Sequence, residues 1–187
     1  MENSSTIETQ NLVQQLTKSL LENGHITGSD MLRLREQGVS IEHLLSAFVG
    51  QGYLLHGSGS NIKELEPFKG DDDQDEKKRA VGVYATDIPA IALFKATVSQ
   101  QALSQEFSSV TAGWNIRNVN DVVTAVPYST QPIDKALRQG YVHVLPKVNF
   151  VKIADAEYIS EVSVQPVLVL PVEHSDMTTE IEVQAST

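Results

Sequence analysis

The sequence contains no cysteine among its 187 residues. A disulfide framework, a thiolate metal site and a cysteine nucleophile are therefore excluded as explanations of its fold or activity. The five histidines show no H-x-x-x-H or other close ligand spacing that is typical of a zinc site. These two absences direct the search for function towards chemistry that needs neither a thiol nor a metal.

Basic residues are in the minority. Lys and Arg together number 14 against 24 Asp and Glu, which gives a formal net charge of −10. Affinity for a phosphate backbone comes mainly from Lys and Arg side chains, so this charge disfavours a nucleic-acid-binding protein. The acidic excess extends along the whole chain, and no basic domain is hidden within it.

Long hydrophobic runs are also missing. The longest apolar stretch near the C-terminus, residues 167–170, is far shorter than the roughly 20 residues that a membrane-spanning helix needs. Residues 1–10 show no basic segment followed by an apolar run, so no signal peptide is visible. We therefore expect a cytoplasmic protein that does not bind a membrane.

Short helices are predicted over residues 1–50. Ser5 and Glu8 resemble a capping box, and Ser40 precedes an apolar pattern that stops at Gly50. Helices of this length are marginal alone and need a surface to pack on. We therefore interpret this segment as a helical arm that docks against the rest of the chain.

Residues 51–172 have the pattern of many short strands with two interior helices. The first of these helices is predicted to have Asp87 as its N-cap and Pro89 in its first turn. The segment of residues 158–172 is also predicted to be β-strand in character. Residues 173–187 are acidic and short of aromatic side chains, so we expect a flexible tail. Together these patterns predict an α+β fold.

Three motifs bring chemistry-bearing residues to the ends of predicted strands. One strand leads into the His-Gly-Ser motif of residues 56–58, a second ends at Tyr84 before the helix, and a later strand starts at Glu157. In this order the motifs resemble the H-Y-E class of ADP-ribosyltransferases, the class of diphtheria toxin and the poly(ADP-ribose) polymerases. The resemblance covers about residues 53–172. It implies an ADP-ribosyltransferase-like split β-sheet core after a short helical segment, with NAD as co-substrate and no metal.

The resemblance also implies a role for each residue of the motifs. Glu157 would be catalytic, because a carboxylate stabilises the positive charge that develops on the ribose as its bond to nicotinamide breaks. Tyr84 would stack on the nicotinamide ring, and His56 would hydrogen-bond the ribose on the adenosine side. Gly57 would let its backbone meet the carboxamide without a Cβ atom in the way. Ser58 would add a hydrogen-bond donor near the same ring.

The chain departs from the polymerase-type pattern in the helix after Tyr84. Those members carry a serine and a second stacking tyrosine there, and the closest positions in this sequence are Ala92 and Lys95. The sequence also identifies no cation for the diphosphate of NAD, unless Lys63 or one of the basic residues 77–79 points inward.

Three functions remain open from the sequence. The first is NAD-dependent mono-ADP-ribosyl transfer or NAD glycohydrolysis, with a protein or small-molecule acceptor favoured over a nucleic acid. The second is a non-catalytic ligand-binding or protein-binding module on the same fold. The third is RNA 2′-phosphotransfer, which uses several arginines around its pocket. Only Arg79, Arg117 and Arg138 follow residue 50, and the acidic charge disfavours RNA.

Overall fold

A computed structural model describes residues 13–14, 16–22, 28–36, 38–69, 80–106, 110–119 and 122–184. Its helices are α1 (Gly28–Glu36), α2 (Ile41–Gly50), α3 (Pro89–Thr97) and α4 (Gln100–Glu106), and residues 16–22 are also helical. In these ranges no helix is long and apolar enough to cross a membrane. The capping box expected at Ser5 and Glu8 and the basic residues 77–79 lie outside the described residues.

Ten strands in the described part form three sheets. The strands are β1 (Tyr53–Ser58), β2 (Phe68–Lys69), β3 (Val81–Ala85), β4 (Ala112–Val119), β5 (Val122–Ser129), β6 (Gly140–Pro146), β7 (Val151–Ala154), β8 (Glu157–Ser160), β9 (Leu168–Val172) and β10 (Glu182–Val183). The strand orders are β1-β6-β9, β2-β3-β8-β7 and β10-β5-β4. Within these sheets, neighbours are antiparallel except for β10 and β5. The α+β class predicted from the sequence is confirmed.

The β1-β6-β9 sheet is covered on both faces. Alternate side chains of a strand point to opposite faces. Leu55 and Val144 pack in a cluster with the helices, whereas Leu54 and Leu145 pack in a second cluster with Val83 of β3. Each fully buried leucine contributes about 1.5–3 kcal/mol relative to an exposed one. The helices, the β1-β6-β9 sheet and the β2-β3-β8-β7 sheet are therefore successive layers.

Helix α2 begins where the sequence predicts. The Ser40 Oγ atom accepts a hydrogen bond from the His43 backbone N–H at 3.4 Å, which is the N-cap role expected of it. The buried side chains recur at three-residue and four-residue spacing: Ile41, Leu44, Leu45 and Phe48. With this face the helix packs against β1 and α3.

The start of helix α3 differs from the prediction. Its N-cap is Ile88, whose N–H donates to Thr86 Oγ1 at 3.1 Å. The Asp87 carboxylate does not cap the helix but accepts a hydrogen bond from the Tyr158 hydroxyl at 2.8 Å. The prediction of Asp87 as N-cap is wrong because β8 brings its tyrosine close enough to bind the carboxylate. Pro89 occupies the first turn, as predicted.

The segment of residues 158–172, predicted to be β-strand in character, contains parts of two strands that belong to different sheets. β8 belongs to the β2-β3-β8-β7 sheet, and β9 belongs to the β1-β6-β9 sheet. Between them the Ser160 Oγ atom donates to the Val162 carbonyl oxygen at 3.0 Å. Val164 then forms an isolated bridge with Leu65. An alternating apolar pattern does not show where a chain passes from one sheet to another.

Residues 173–184 also differ from the flexible tail that the sequence predicts. The Asp176 carboxylate is buried and accepts hydrogen bonds from Arg35 of α1 at 2.8 and 2.5 Å. It also accepts one from the Glu173 N–H at 2.8 Å. Further along, β10 pairs with β5. The contact with a distant helix holds this segment in place, and such a contact leaves no local pattern in the sequence.

Candidate functional site

A cavity opens where α3 meets strands of all three sheets. At its base Leu55 pairs with Thr86 through two backbone hydrogen bonds of 2.8 and 2.9 Å. This bridge joins β1 to the end of β3, although the two strands belong to different sheets. The lining residues come from β1, β3 and the residue after it, α3, β4, the β7–β8 turn and the start of β8: Leu55, His56, Gly57, Tyr84, Ala85, Thr86, Ile91, Ala92, Lys95, Trp114, Asp155, Ala156 and Glu157.

Four of the five site residues predicted from the sequence line this cavity: His56, Gly57, Tyr84 and Glu157. They reach it from three separate strands, so the fold brings together motifs that are far apart in the chain. Ser58 is not among the lining residues. Its Oγ atom accepts a hydrogen bond from the Ser60 backbone N–H at 3.1 Å, within the turn that follows β1.

His56 has an unprotonated ring nitrogen that can accept a hydrogen bond. Its Nδ1 atom lies 2.7 Å from the Tyr84 carbonyl oxygen, and since a carbonyl only accepts, Nδ1 carries the proton. Nε2 is then an acceptor in the neutral ring. Burial lowers the pKa of His56 to about 4, with smaller contributions in the same direction from His143 and Lys95. The ring is therefore neutral near pH 7.

His143 of β6 connects the backbone of His56 to the loop that follows β1. The side chain is fully buried, and its ring lies 5.8 Å from that of His56, centroid to centroid. Its Nε2 accepts a hydrogen bond from the Ile62 backbone N–H at 3.0 Å, so Nδ1 carries the proton and donates to the His56 carbonyl oxygen at 3.2 Å. Burial also lowers the pKa of His143. Sequence analysis assigned this residue no role.

Gly57 allows strand β1 to approach helix α3 closely. A Cβ atom at residue 57 would overlap the Ala92 carbonyl oxygen and lie 2.8 Å from the Ala96 backbone nitrogen. A Cβ atom at Gly140, on the neighbouring strand β6, would overlap the Ala96 carbonyl oxygen. The sequence suggested that Gly57 leaves room for a ligand, and the structure adds the packing of the helix as a reason for glycine.

Tyr84 lines the cavity with a ring that its neighbours hold in place. The hydroxyl donates a hydrogen bond to the Ala80 carbonyl oxygen at 2.6 Å. The ring also packs edge-on against Phe68 of β2, with 6.2 Å between centroids. An aromatic ring fixed in this way can provide a stacking surface for a planar ligand.

Glu157 follows a tight turn between β7 and β8. Ala156 in this turn has a φ of 62°, a left-handed conformation that costs an alanine about 1–2 kcal/mol. Such strained residues cluster at functional sites. Glu157 is half-buried, and no donor or cation in the described ranges pairs with its carboxylate. The carboxylate is therefore available to a ligand.

Trp114 of β4 lines the cavity beside α3, and sequence analysis missed it. Its ring packs edge-on against Phe94, with 6.4 Å between centroids, and the Lys95 ammonium lies 4.8 Å from the ring centroid. Ala92 and Lys95, the two positions compared with the polymerase-type pattern, both line the cavity. The one sequence signal for Trp114 is that it is the single tryptophan of the chain.

The cavity has a volume of about 70 Å³. Typical small-molecule sites measure roughly 300–1,000 Å³, so only one part of a dinucleotide fits inside. Its charged lining residues are Lys95 of α3 and the acidic pair Asp155 and Glu157 of the β7–β8 turn. The cavity thus carries charges of both signs, and its other lining residues are apolar or aromatic apart from His56 and Thr86.

In the part of the chain that the structure describes, no three His, Asp or Glu side chains are grouped so that they could hold a metal ion. No protein-family model matches the chain, and no curated protein or solved structure matches it.

Proposed function

We propose that this protein is an NAD-dependent mono-ADP-ribosyltransferase or NAD glycohydrolase with an ADP-ribosyltransferase-like fold. The observation that supports this function is that His56, Tyr84 and Glu157 meet at one cavity. They come from β1, β3 and β8, in the order in which the H-Y-E class carries its motifs. If these three residues lay on separate surfaces of the protein, their positions would give no reason to prefer this chemistry.

The side chains of the cavity suit the chemical groups of NAD. Tyr84 offers a fixed aromatic ring to the planar nicotinamide. His56 offers the Nε2 lone pair to a ribose hydroxyl, which can donate. Glu157 offers a carboxylate that is unpaired among the described residues. The volume of about 70 Å³ is well below the roughly 300–1,000 Å³ of a typical small-molecule site, so most of the dinucleotide would extend from the mouth.

The reaction breaks the bond between the nicotinamide nitrogen and C1′ of the ribose, and the bonding electron pair leaves with nicotinamide. Positive charge develops on the ribose, and the Glu157 carboxylate stabilises it by its charge and by accepting hydrogen bonds from ribose hydroxyls. The acceptor then bonds to C1′ through a lone pair and loses a proton. In glycohydrolysis the acceptor is water. Positioning and electrostatics supply the rate enhancement.

Titration of the purified protein with NAD tests the binding step. We expect saturable binding by calorimetry that His56→Ala abolishes, because the variant lacks the acceptor nitrogen. A ligand at 100 times its Kd stabilises the native state by about 2.7 kcal/mol, so binding also raises Tm. His43→Ala, on the exposed side of α2, is the matched control and should bind normally. A folded wild-type protein that does not bind millimolar NAD contradicts the proposal.

Glu157→Gln separates binding from chemistry. The variant keeps the shape of the side chain and removes its charge, so NAD should still bind while nicotinamide release slows by about 100-fold or more. Release is measured by chromatography of the products. Glu161→Gln, an exposed acid just beyond β8, is the control and should react at the wild-type rate. Equal turnover by Glu157→Gln and wild type would exclude the assigned role.

A non-catalytic binding module on the same fold is the second candidate. The small cavity and the presence of Lys95 where polymerase-type members stack a tyrosine favour it. It predicts NAD binding that depends on His56, with no nicotinamide release by the wild type in water or with any acceptor. RNA 2′-phosphotransfer gains no support, because Arg117 pairs with Glu182 and no arginine in the described part lines the cavity.

A further inference from the structure

Lys95 and Trp114 lie together in the cavity wall, on elements outside the three motifs. Lys95 projects from α3, and Trp114 comes from β4. The Lys95 ammonium is 4.8 Å from the centroid of the Trp114 ring. A lysine over the face of a tryptophan is attracted by the negative face of the ring. Trp114 therefore restrains a positive charge at the edge of the cavity.

Lys95 is the basic residue of this cavity. Within the described ranges, no other Lys or Arg lines it. The side chain is exposed, so a ligand can reach the ammonium. Its positive charge contributes to the lowered pKa of His56, which means that its field extends to the residue that offers an acceptor to the ligand.

The remaining charged residues of the cavity are acidic and come from a different element. Asp155 and Glu157 lie on either side of the strained Ala156 in the β7–β8 turn. The cavity thus has one cationic element, α3, and one anionic element, the turn. A ligand that carries separated positive and negative groups satisfies both, and NAD is such a ligand because its pyridinium is positive and its diphosphate negative.

We propose that Lys95, held over the Trp114 ring, binds the diphosphate of the substrate, while the pyridinium lies towards Asp155 and Glu157. This inference rests on the proposed function, and it assigns one group of NAD to Lys95 and another to the acidic pair. A lysine ammonium binds phosphate as a compact charge with three donors. Trp114 is a positioning residue, because it limits the conformations of the lysine before the ligand arrives.

The fluorescence of Trp114 tests the inference directly, because it is the only tryptophan in the chain. The full-length protein is titrated with inorganic pyrophosphate, NAD and nicotinamide. Pyrophosphate and NAD should each change the emission saturably as the ammonium moves to the phosphates. Lys95→Gln should lower the affinity for both by about tenfold or more, the usual effect of losing one charged hydrogen bond. Its affinity for nicotinamide should stay at the wild-type value.

Matched variants control for charge and for folding. Lys147→Gln removes one exposed positive charge, which lies 5.0 Å from the Tyr158 ring centroid and outside the cavity lining, and this variant should bind pyrophosphate normally. Lys95→Arg should restore binding, because it keeps the positive charge. For Trp114, calorimetry should show weaker pyrophosphate binding by Trp114→Leu, unchanged nicotinamide binding, and recovery by Trp114→Phe. If Lys95→Gln does not fold, Lys95→Met, which keeps the aliphatic stem, takes its place.

The outcomes separate this inference from the proposed function. If Lys95→Gln binds pyrophosphate and NAD as tightly as the wild type, the inference is overturned and NAD binding stands. If the wild type binds pyrophosphate through Lys95 but does not bind NAD, the anion site stands and the proposed function fails. No pyrophosphate binding by the wild type overturns the inference.

Discussion

At Gly57 the strand β1 passes so close to helix α3 that an added methyl group would overlap the Ala92 carbonyl oxygen. We expect Gly57→Ala to lower the free energy of unfolding by about 1–3 kcal/mol, because helix backbone cannot move aside as a side chain can. Urea denaturation measures this loss. Gly50→Ala is the control, since no atom lies within 4 Å of its added Cβ. The packing explanation fails if both variants lose the same stability.

His56 makes the stability of the protein depend on pH. Its pKa is about 4 in the folded state and 6.5 when unperturbed. Between these values the unfolded chain binds a proton that the folded chain does not. Stability from the neutral ring is therefore complete above about pH 6.5 and is lost as pH falls towards 4. The difference between the two pKa values corresponds to about 3 kcal/mol of unfolding free energy.

Denaturation by urea at about pH 7 and about pH 4.5 tests this dependence. The wild type should lose more unfolding free energy between these pH values than His56→Gln, which has no ionisable group at residue 56. Carboxylates and His143 titrate in both proteins, so the difference between them isolates His56. An identical loss in both proteins would show that the histidine does not control the acid sensitivity.

Cavity-lining residues that belong to motifs were easier to predict from the sequence than residues that stand alone within strands. His56, Tyr84 and Glu157 stand in short motifs whose order carries information. His143 and Trp114 stand alone within strands, and their partners are distant in the chain. Motif spacing reflects local geometry, whereas the hydrogen bond from a loop N–H to a buried histidine exists only after the sheets have assembled.

Helix α1 and the segment after β9 are joined by an ion pair between Arg35, which is partly exposed, and the buried Asp176 carboxylate. We expect Arg35→Leu to lower the free energy of unfolding by about 3 kcal/mol, because it leaves the Asp176 carboxylate buried without its partner. The exposed pair of Arg117 and Glu182 provides the control. Arg117→Leu should cost about 0–1 kcal/mol. Similar losses in the two variants, measured by urea denaturation, would contradict the importance assigned to burial.

Elements with local signals were predicted better than those defined by distant partners. Ser40 and Gly50 bound helix α2 as expected, since capping and termination depend on neighbouring residues. Asp87 failed as an N-cap because a tyrosine from β8 binds its carboxylate. The interruption between β8 and β9 was missed because membership of a sheet is a long-range property.

Ligand binding should slow amide hydrogen exchange in all three sheets, because each sheet contributes residues to the cavity lining. We expect NAD to slow amide hydrogen exchange around residues 55–57, 84–86, 114 and 155–157. Strand β9 contributes no lining residue and should exchange at the same rate with and without ligand. Mass spectrometry of peptides measures the change. Slowing confined to a single sheet would contradict binding in this cavity.

At the scale of the whole molecule, composition and pattern predicted the α+β class but not how the sheets converge. The bridge between Leu55 and Thr86 joins two sheets, and Trp114 reaches the same cavity from a third. Each strand pattern is compatible with several sheet arrangements. The arrangement is selected by side-chain packing between segments that are far apart in the chain.

The pairing of β1 with β6 has a consequence for biosynthesis. About 80 residues separate Ser58 from Gly140, and at 5–20 residues per second a ribosome needs roughly 4–16 s to add them. During that interval the strand that carries Leu54 and Leu55 lacks β6, and its backbone pairing in the described part is limited to the bridge between Leu55 and Thr86. An unpaired apolar strand can join another nascent chain. Strand β1 is therefore open to such pairing until β6 has been made.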